Sequence, residues 1–195
     1  MALLVGDRIP GCRAARPWLA ILAIALSLLS PAVAGAATVE REYQVKGVLL
    51  YNLAHLAQWP TSAFGDSRDP LVIGVLGQDP FGHVLDEIVK DETVRGRPMI
   101  VRRFATAREA RQAHLLFIAD SEKGRIREVL AELEGRPILT VADTAAFTRA
   151  GGMIEFYTNE EGRIRLRVHL HAIRAHSLDI SSRLLRVAEV VSGGS

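Results

Sequence analysis

"DPLVIGVLGQDP", Asp69 to Pro80, decides the fold. Between Leu71 and Leu76 there is no polar side chain, so neither face of the segment can be turned to water. A half-exposed strand alternates polar and apolar residues. An unbroken apolar run bounded by Asp-Pro and Gly therefore reads as a strand buried on both faces of a parallel sheet. Asp79-Pro80 then reads as a helix start, Asp as N-cap and Pro at the first helical position, with the helix over 81–90.

Working outward, the unit repeats. "RPMIVRRF" (Arg97 to Phe104) predicts a strand, "TAREAR" a short helical turn, and "HLLFIAD" (His114 to Asp120) a second buried strand. Ser121 is placed to cap a helix to about Leu133, with Ile126, Val129, Leu130 and Leu133 on one face. "RPILTV" (Arg136 to Val141) is the next strand, and Asp143 caps a short helix after it. "MIEFY" (Met153 to Tyr157) and "RIRLRVHL" (Arg163 to Leu170), joined through "NEEG", read as a hairpin, and a C-terminal helix follows from Ser181 to about Val191. Upstream, Tyr43, Leu50, Leu53, Ala54 and Ala57 fall at helical spacing between Val39 and Pro60. Strands alternating with helices predict an α/β fold: a three-layer sandwich, mostly parallel sheet, helices on both faces and a C-terminal hairpin.

The first 36 residues are set apart. Arg13 and Arg16 precede an apolar core, "WLAILAIALSLL" (Trp18 to Leu29), and "SPAVAGAA" offers small-residue cleavage sites after Ala34 or Ala36. The pattern is that of a cleaved export signal; the apolar run is shorter than the roughly 20 residues a spanning helix needs, so no membrane insertion is expected after cleavage. Domains follow: 1–36 signal, 37–192 a single α/β domain, 193–195 a frayed tail. The chain carries 24 Lys+Arg against 22 Asp+Glu, and removing Arg8, Arg13, Arg16 and Asp7 leaves 21 of each. A neutral product lacks the net basic footprint of a nucleic-acid binder. Its one cysteine, Cys12, lies inside the signal, so the exported chain must stand on its core without disulfides.

The candidate sites are few. Asp79, Asp120 and Asp143 each follow a strand at the edge where α/β folds bind ligands, and capping of helix N-termini is the ordinary use of such residues. Carboxylates there disfavour a phosphate or dinucleotide. His169 and His171 alternate on one strand about 7 Å apart, with His176 or Glu155 as a third metal ligand, yet Arg163, Arg165 and Arg167 share their face and repel a dication. A solvated basic face of an edge strand is the plainer reading, and a docking face for an acidic partner the functional one. No G-x-S-x-G, catalytic cysteine or H-E-x-x-H is present, which argues against an enzyme; no metal or cofactor is expected. Tyr43, Tyr51, Trp59, Phe64 and Phe81 crowd the first helix and its exit, as core or as interface anchors.

"EYQVKGVLLYNLAHLAQWP", "LVIGVLGQDPFG", "HLLFIADSE", "GRPILTVADTAAFTRAGGMIEF" and "IRLRVHLHAIRAHSLDISSRLLRVA" occur here in an order that resembles the YfiR-like family of exported bacterial proteins, over Glu42 to about Ala188. The resemblance implies a soluble periplasmic regulator that binds the periplasmic sensor domain of an inner-membrane diguanylate cyclase, lowering cyclic di-GMP and biofilm formation. The alternative is a periplasmic small-ligand-binding module serving a membrane receptor or histidine kinase. Partner or ligand contacts are then sought where the end of the first helix meets the start of the last: Tyr51, Asn52, Trp59, Ser182 and Arg183. The absence of cysteine from the exported chain removes the redox switching known in the family. A homodimer through the hairpin edge or the aromatic first helix is open to the chain.

Overall fold

In the computed structural model the described residues are 31–66 and 68–191, and the chain divides into units 1–39 and 40–195. The expected export-signal core and frayed tail lie outside the described residues, whereas Ala34 and Ala36 fall in the first helix.

That helix, α1 (Pro31–Leu56), starts earlier than the spacing predicts, with Pro at its first position and an alanine-rich stretch behind it. It ends earlier too, because Ala57–Gln58 (β1) leaves to pair with Asp179–Ile180 (β9) in a separate two-stranded sheet. No helix among the described residues is long and apolar enough to cross a membrane.

The apolar run that opened the sequence is β2 (Leu71–Leu76), buried at all six positions. It lies between β4 (Arg97–Phe104) and β5 (Leu115–Ile118), parallel to both. With β6 (Leu139–Ala142), β7 (Ile154–Thr158), β8 (Ile164–His169), β10 (Glu189–Val191) and the two-residue β3 (Thr93–Val94), it builds an eight-stranded sheet in the order β10-β8-β7-β6-β5-β2-β4-β3. The β7–β8 pair is the expected antiparallel hairpin, and β3–β4 is the other antiparallel pair.

The two faces have separate cores, which is why the central strands alternate between two apolar environments. Leu71, Ile73, Val75, Phe117 and Val141 pack with Leu50, Leu53 and Ala54 of α1, with Leu85 of α2 (Val84–Val89), and with Ala172 and Ile173 of α4 (Leu170–Ala175). Val72, Leu76, Leu116 and Ile118 pack with Ile126 and Val129 of α3 (Ile126–Glu132) and with Phe147. A sheet with helices on both faces is the three-layer α/β arrangement that the sequence predicts.

Four local expectations are corrected. Helix α2 starts at Val84 with His83 at its N-cap, not at Asp79-Pro80, because Asp79 spends its side chain on a turn and an arginine. Ser121 caps nothing: its Oγ accepts from the Gln78 amide, and a 3-10 turn (Asp120–Arg125) precedes α3. No helix forms after Asp143, since Ala146 takes a left-handed φ of 63°. The C-terminal helix is one turn, α5 (Ser182–Leu185); Glu189–Val191 instead joins β8 in parallel, so β8 is not an edge strand.

Candidate functional site

The C-terminal ends of the parallel strands are where this architecture places its ligands, and all three aspartates predicted there are committed to cations. Asp143 accepts a hydrogen bond from Tyr43 at 2.9 Å and an ion pair from Lys46 at 2.5 Å. Lys46 is 5 % exposed, reaches back to Glu42 one turn earlier at 2.6 Å, and sits 4.4 Å from the Tyr43 ring centre. Burial first, then the Asp143 carboxylate, pushes the Tyr43 phenol far above its ordinary range, so it stays a donor. Asp79 turns Oδ1 to the Phe81 amide and Oδ2 to Arg103, which also forks onto Asp86. Asp120 is exposed and paired with Lys123, which holds its carboxyl below the usual range, and it accepts from Thr144. None of these carboxylates caps an α-helix; charged donors nearby outcompete backbone amides. Gly77 closes the same edge: its φ is +89°, and a Cβ there would collide with Ser121 and Glu122.

The second candidate region is the exit of α1. The Ser181 amide donates to the Leu56 carbonyl at 2.8 Å, and the β1–β9 pair brings the end of α1 beside the residues that lead into α5. Side chains diverge from that junction. Tyr51 donates to Glu92 at 2.9 Å and packs on His55, while Asn52, Ser182 and Arg183 are exposed. Trp59 turns the other way and donates from Nε1 to the His114 carbonyl at 3.0 Å. There it lines a cleft of about 210 Å³ with Ala54, Ala57, Phe64, Leu71 and Val94, with Arg95 and Arg97 among its walls. Of the five residues named from the sequence, Trp59 alone lines this cleft. Phe64, Arg97 and His114 complete its setting, and only the aromatic crowding at the helix exit pointed toward them.

The third is the row Arg163, Arg165, Arg167, His169 and His171. Arg163 and Arg165 are exposed, and Arg163 has Glu161 at 3.3 Å. Arg167 is not free for docking: it bonds Glu155 at 3.0 Å and Glu189 at 3.1 Å and lies 3.9 Å over the Tyr157 ring. Glu155 itself is 2 % exposed and accepts from the Thr148 amide and hydroxyl. His169 ends β8 and is buried; His171 lies in α4 and is exposed, so strand alternation does not relate them, although their ring centres are 6.4 Å apart. His176, just past the end of α4, donates from Nδ1 to the Ala172 carbonyl at 2.9 Å, and Glu155 is taken by Arg167. Among the described residues no group of three or more metal-ligating side chains forms.

A family model described as YfiR/HmsC-like (DUF4154) matches residues 43–189, from Tyr43 in α1 to the first residue of β10. No curated protein matches the chain.

Proposed function

The chain belongs to the YfiR/HmsC-like family, and from that premise we propose that it is an exported regulator that binds the periplasmic sensor domain of an inner-membrane diguanylate cyclase and holds it inactive. The family is one of periplasmic regulators of diguanylate cyclase signalling and not of catalysts. The observation that carries the reading is the extent of the match, which takes in seven strands of the main sheet whole and reaches the first residue of the eighth, β10. Support comes from the strand ends: Asp79, Asp120 and Asp143, the acids best placed for chemistry, are tied into internal ion pairs. In this reading the exposed Arg163, Arg165 and His171 are the accessible part of the basic docking face, Tyr51, Asn52, Ser182 and Arg183 are partner contacts around the exit of α1, and Trp59 is a ligand contact in the cleft.

Deleting the gene is expected to raise cellular cyclic di-GMP and biofilm formation several-fold, and a tagged chain is expected to recover a membrane cyclase from detergent extracts. Unchanged cyclic di-GMP together with no recovered cyclase would remove the proposal. Charge reversal at Arg163 and Arg165 is expected to reproduce the deletion while leaving the fold intact, because both side chains stand in solvent.

The cleft beside Trp59 favours a second reading, a small-ligand-binding module that serves a membrane receptor or histidine kinase. A thermal-shift screen of nucleotides, amino acids and cofactors tests it. Ligand at about 100 times its Kd adds about 2.7 kcal/mol and a rise of several degrees; a flat panel excludes the module.

A further inference from the structure

We propose that His114 is a pH-operated clamp on the segment Trp59–Phe64, holding it over the cleft when the imidazole is neutral and releasing it on protonation. His114 stands immediately before β5, 9 % exposed, with the segment wrapped around it. Its Nδ1 lies 3.1 Å from the Val72 amide nitrogen and its Nε2 3.1 Å from the Ala63 carbonyl oxygen. An amide N–H can only donate and a carbonyl can only accept. The partners therefore assign the tautomer: Nδ1 is bare and Nε2 carries the hydrogen.

The stacking and hydrogen-bond contacts of Trp59 and Phe64 converge on the same place. Phe64 stacks on the imidazole at 4.4 Å with the rings 15° from parallel, and the Trp59 indole donates to the His114 carbonyl. Arg97 lies 3.9 Å over the Phe64 ring and donates to the carbonyls of Asp66 and Asp69, so Phe64 is sandwiched between imidazole and guanidinium. Protonation places a hydrogen on Nδ1 directly against the Val72 N–H. Two donors then face each other, the buried amide loses its acceptor, and Phe64 lies between two cations.

The charged groups around the ring are Arg97, which opposes protonation, and Asp69, which favours it; the Asp69 carboxylate is already engaged by the amides of Gly65 and Asp66. Ala63, Phe64, Val72, Trp59 and Leu139, whose amide also donates to the His114 carbonyl, do not titrate. Burial is the largest influence, and it pushes His114 down from the ordinary imidazole value. The sign follows. The clamp's contribution to stability is complete above about pH 6.5, the unfolded value, and is lost as the pH falls through the lower folded value.

Because Trp59 and Phe64 are walls of the cleft, release changes its shape, and Ala57–Gln58 just upstream carries the change to the pairing with Asp179–Ile180. A compartment whose pH follows the surroundings would thereby acquire an acid input, independent of which partner the protein serves.

The test is a titration of the purified full chain by nitrogen-edited NMR from roughly pH 7.5 to pH 4.5, following the Trp59 indole N–H, assigned by Trp59→Phe, and the His114 ring nitrogens. The indole resonance is expected to move with the His114 midpoint, the released fraction rising about tenfold for each unit by which the pH falls toward that midpoint, while the far-ultraviolet circular dichroism stays constant. In His114→Gln, whose amide still reaches for the Ala63 carbonyl but does not titrate, the indole shift disappears. An indole resonance that stays fixed, or that moves equally in His114→Gln, overturns the clamp. Should the variant fail to fold, the unmodified chain decides: His114 and Trp59 titrating with different midpoints also overturns it.

Discussion

Lys46→Met is expected to lower the free energy of unfolding by roughly 3–5 kcal/mol, the range for breaking one side of a buried ion pair. Lys46 and Asp143 are both nearly withdrawn from solvent, with side-chain exposures of 6 % and 9 %, and they join α1 to the end of β6 across 97 residues of sequence. With the ammonium gone, Asp143 keeps only the Tyr43 hydroxyl at one oxygen, and its other oxygen has no protein partner. The carboxylate is then buried and uncompensated. Asp143→Leu is expected to cost a similar amount from the opposite side, because it strands the ammonium with Glu42 alone. The double variant Lys46→Met/Asp143→Leu removes both charges together, and urea unfolding is expected to show it losing much less than the sum of the singles. A Lys46→Met protein within about 1 kcal/mol of the parent would place the pair among solvent-screened surface contacts and refute its role.

The same pair shows what the sequence could and could not convey. Strands β2 and β5 were legible because each is apolar on both faces, and β6 because Thr140 is its single polar residue, a local property that survives any tertiary arrangement. The aspartates after them share one local pattern, strand then Asp, yet Asp143 meets Lys46, Asp120 meets Lys123 and Asp79 meets Arg103. Only the second of these partners lies within a turn of its carboxylate. Helix capping is the best local use of such a residue, and a cation brought by the fold displaced it. At the C-terminus the conflict ran the other way. The stretch that ends the chain reads as a helix by spacing, but Val190 and Val191 are β-branched, and pairing with Val168 and His169 of β8 prevails. His114 was visible only as a histidine at a strand start. Its significance depends on Val72 and Ala63, 42 and 51 residues away, and spacing along the chain carries no record of them.

Phe147→Ala is expected to destabilise by about 3–5 kcal/mol, and the reason explains the glycine at position 152, just before β7. Phe147 is 0 % exposed, a plug driven from the loop after β6 into the core beneath the second face of the sheet. The loop is wound around it: its amide donates to the Thr144 carbonyl, and its own carbonyl accepts from Ala150 and Gly152. Gly152 then passes so close to the ring that a Cβ at that position would overlap three of its carbons. Gly152 is thus a clearance for an aromatic plug, while Gly151 beside it takes the positive φ of +104° that the turn requires. Gly152→Ala in the parent chain must displace the ring from a filled core, at a cost of about 1–3 kcal/mol or more. Made in the Phe147→Ala background, the same change meets no ring and partly fills the space left by it, so its cost is expected to vanish. The pair should therefore depart from additivity by well over 0.5 kcal/mol in urea unfolding. Costs that simply add would mean that Phe147 and Gly152 do not press on each other, and that the glycine serves some purpose other than clearance.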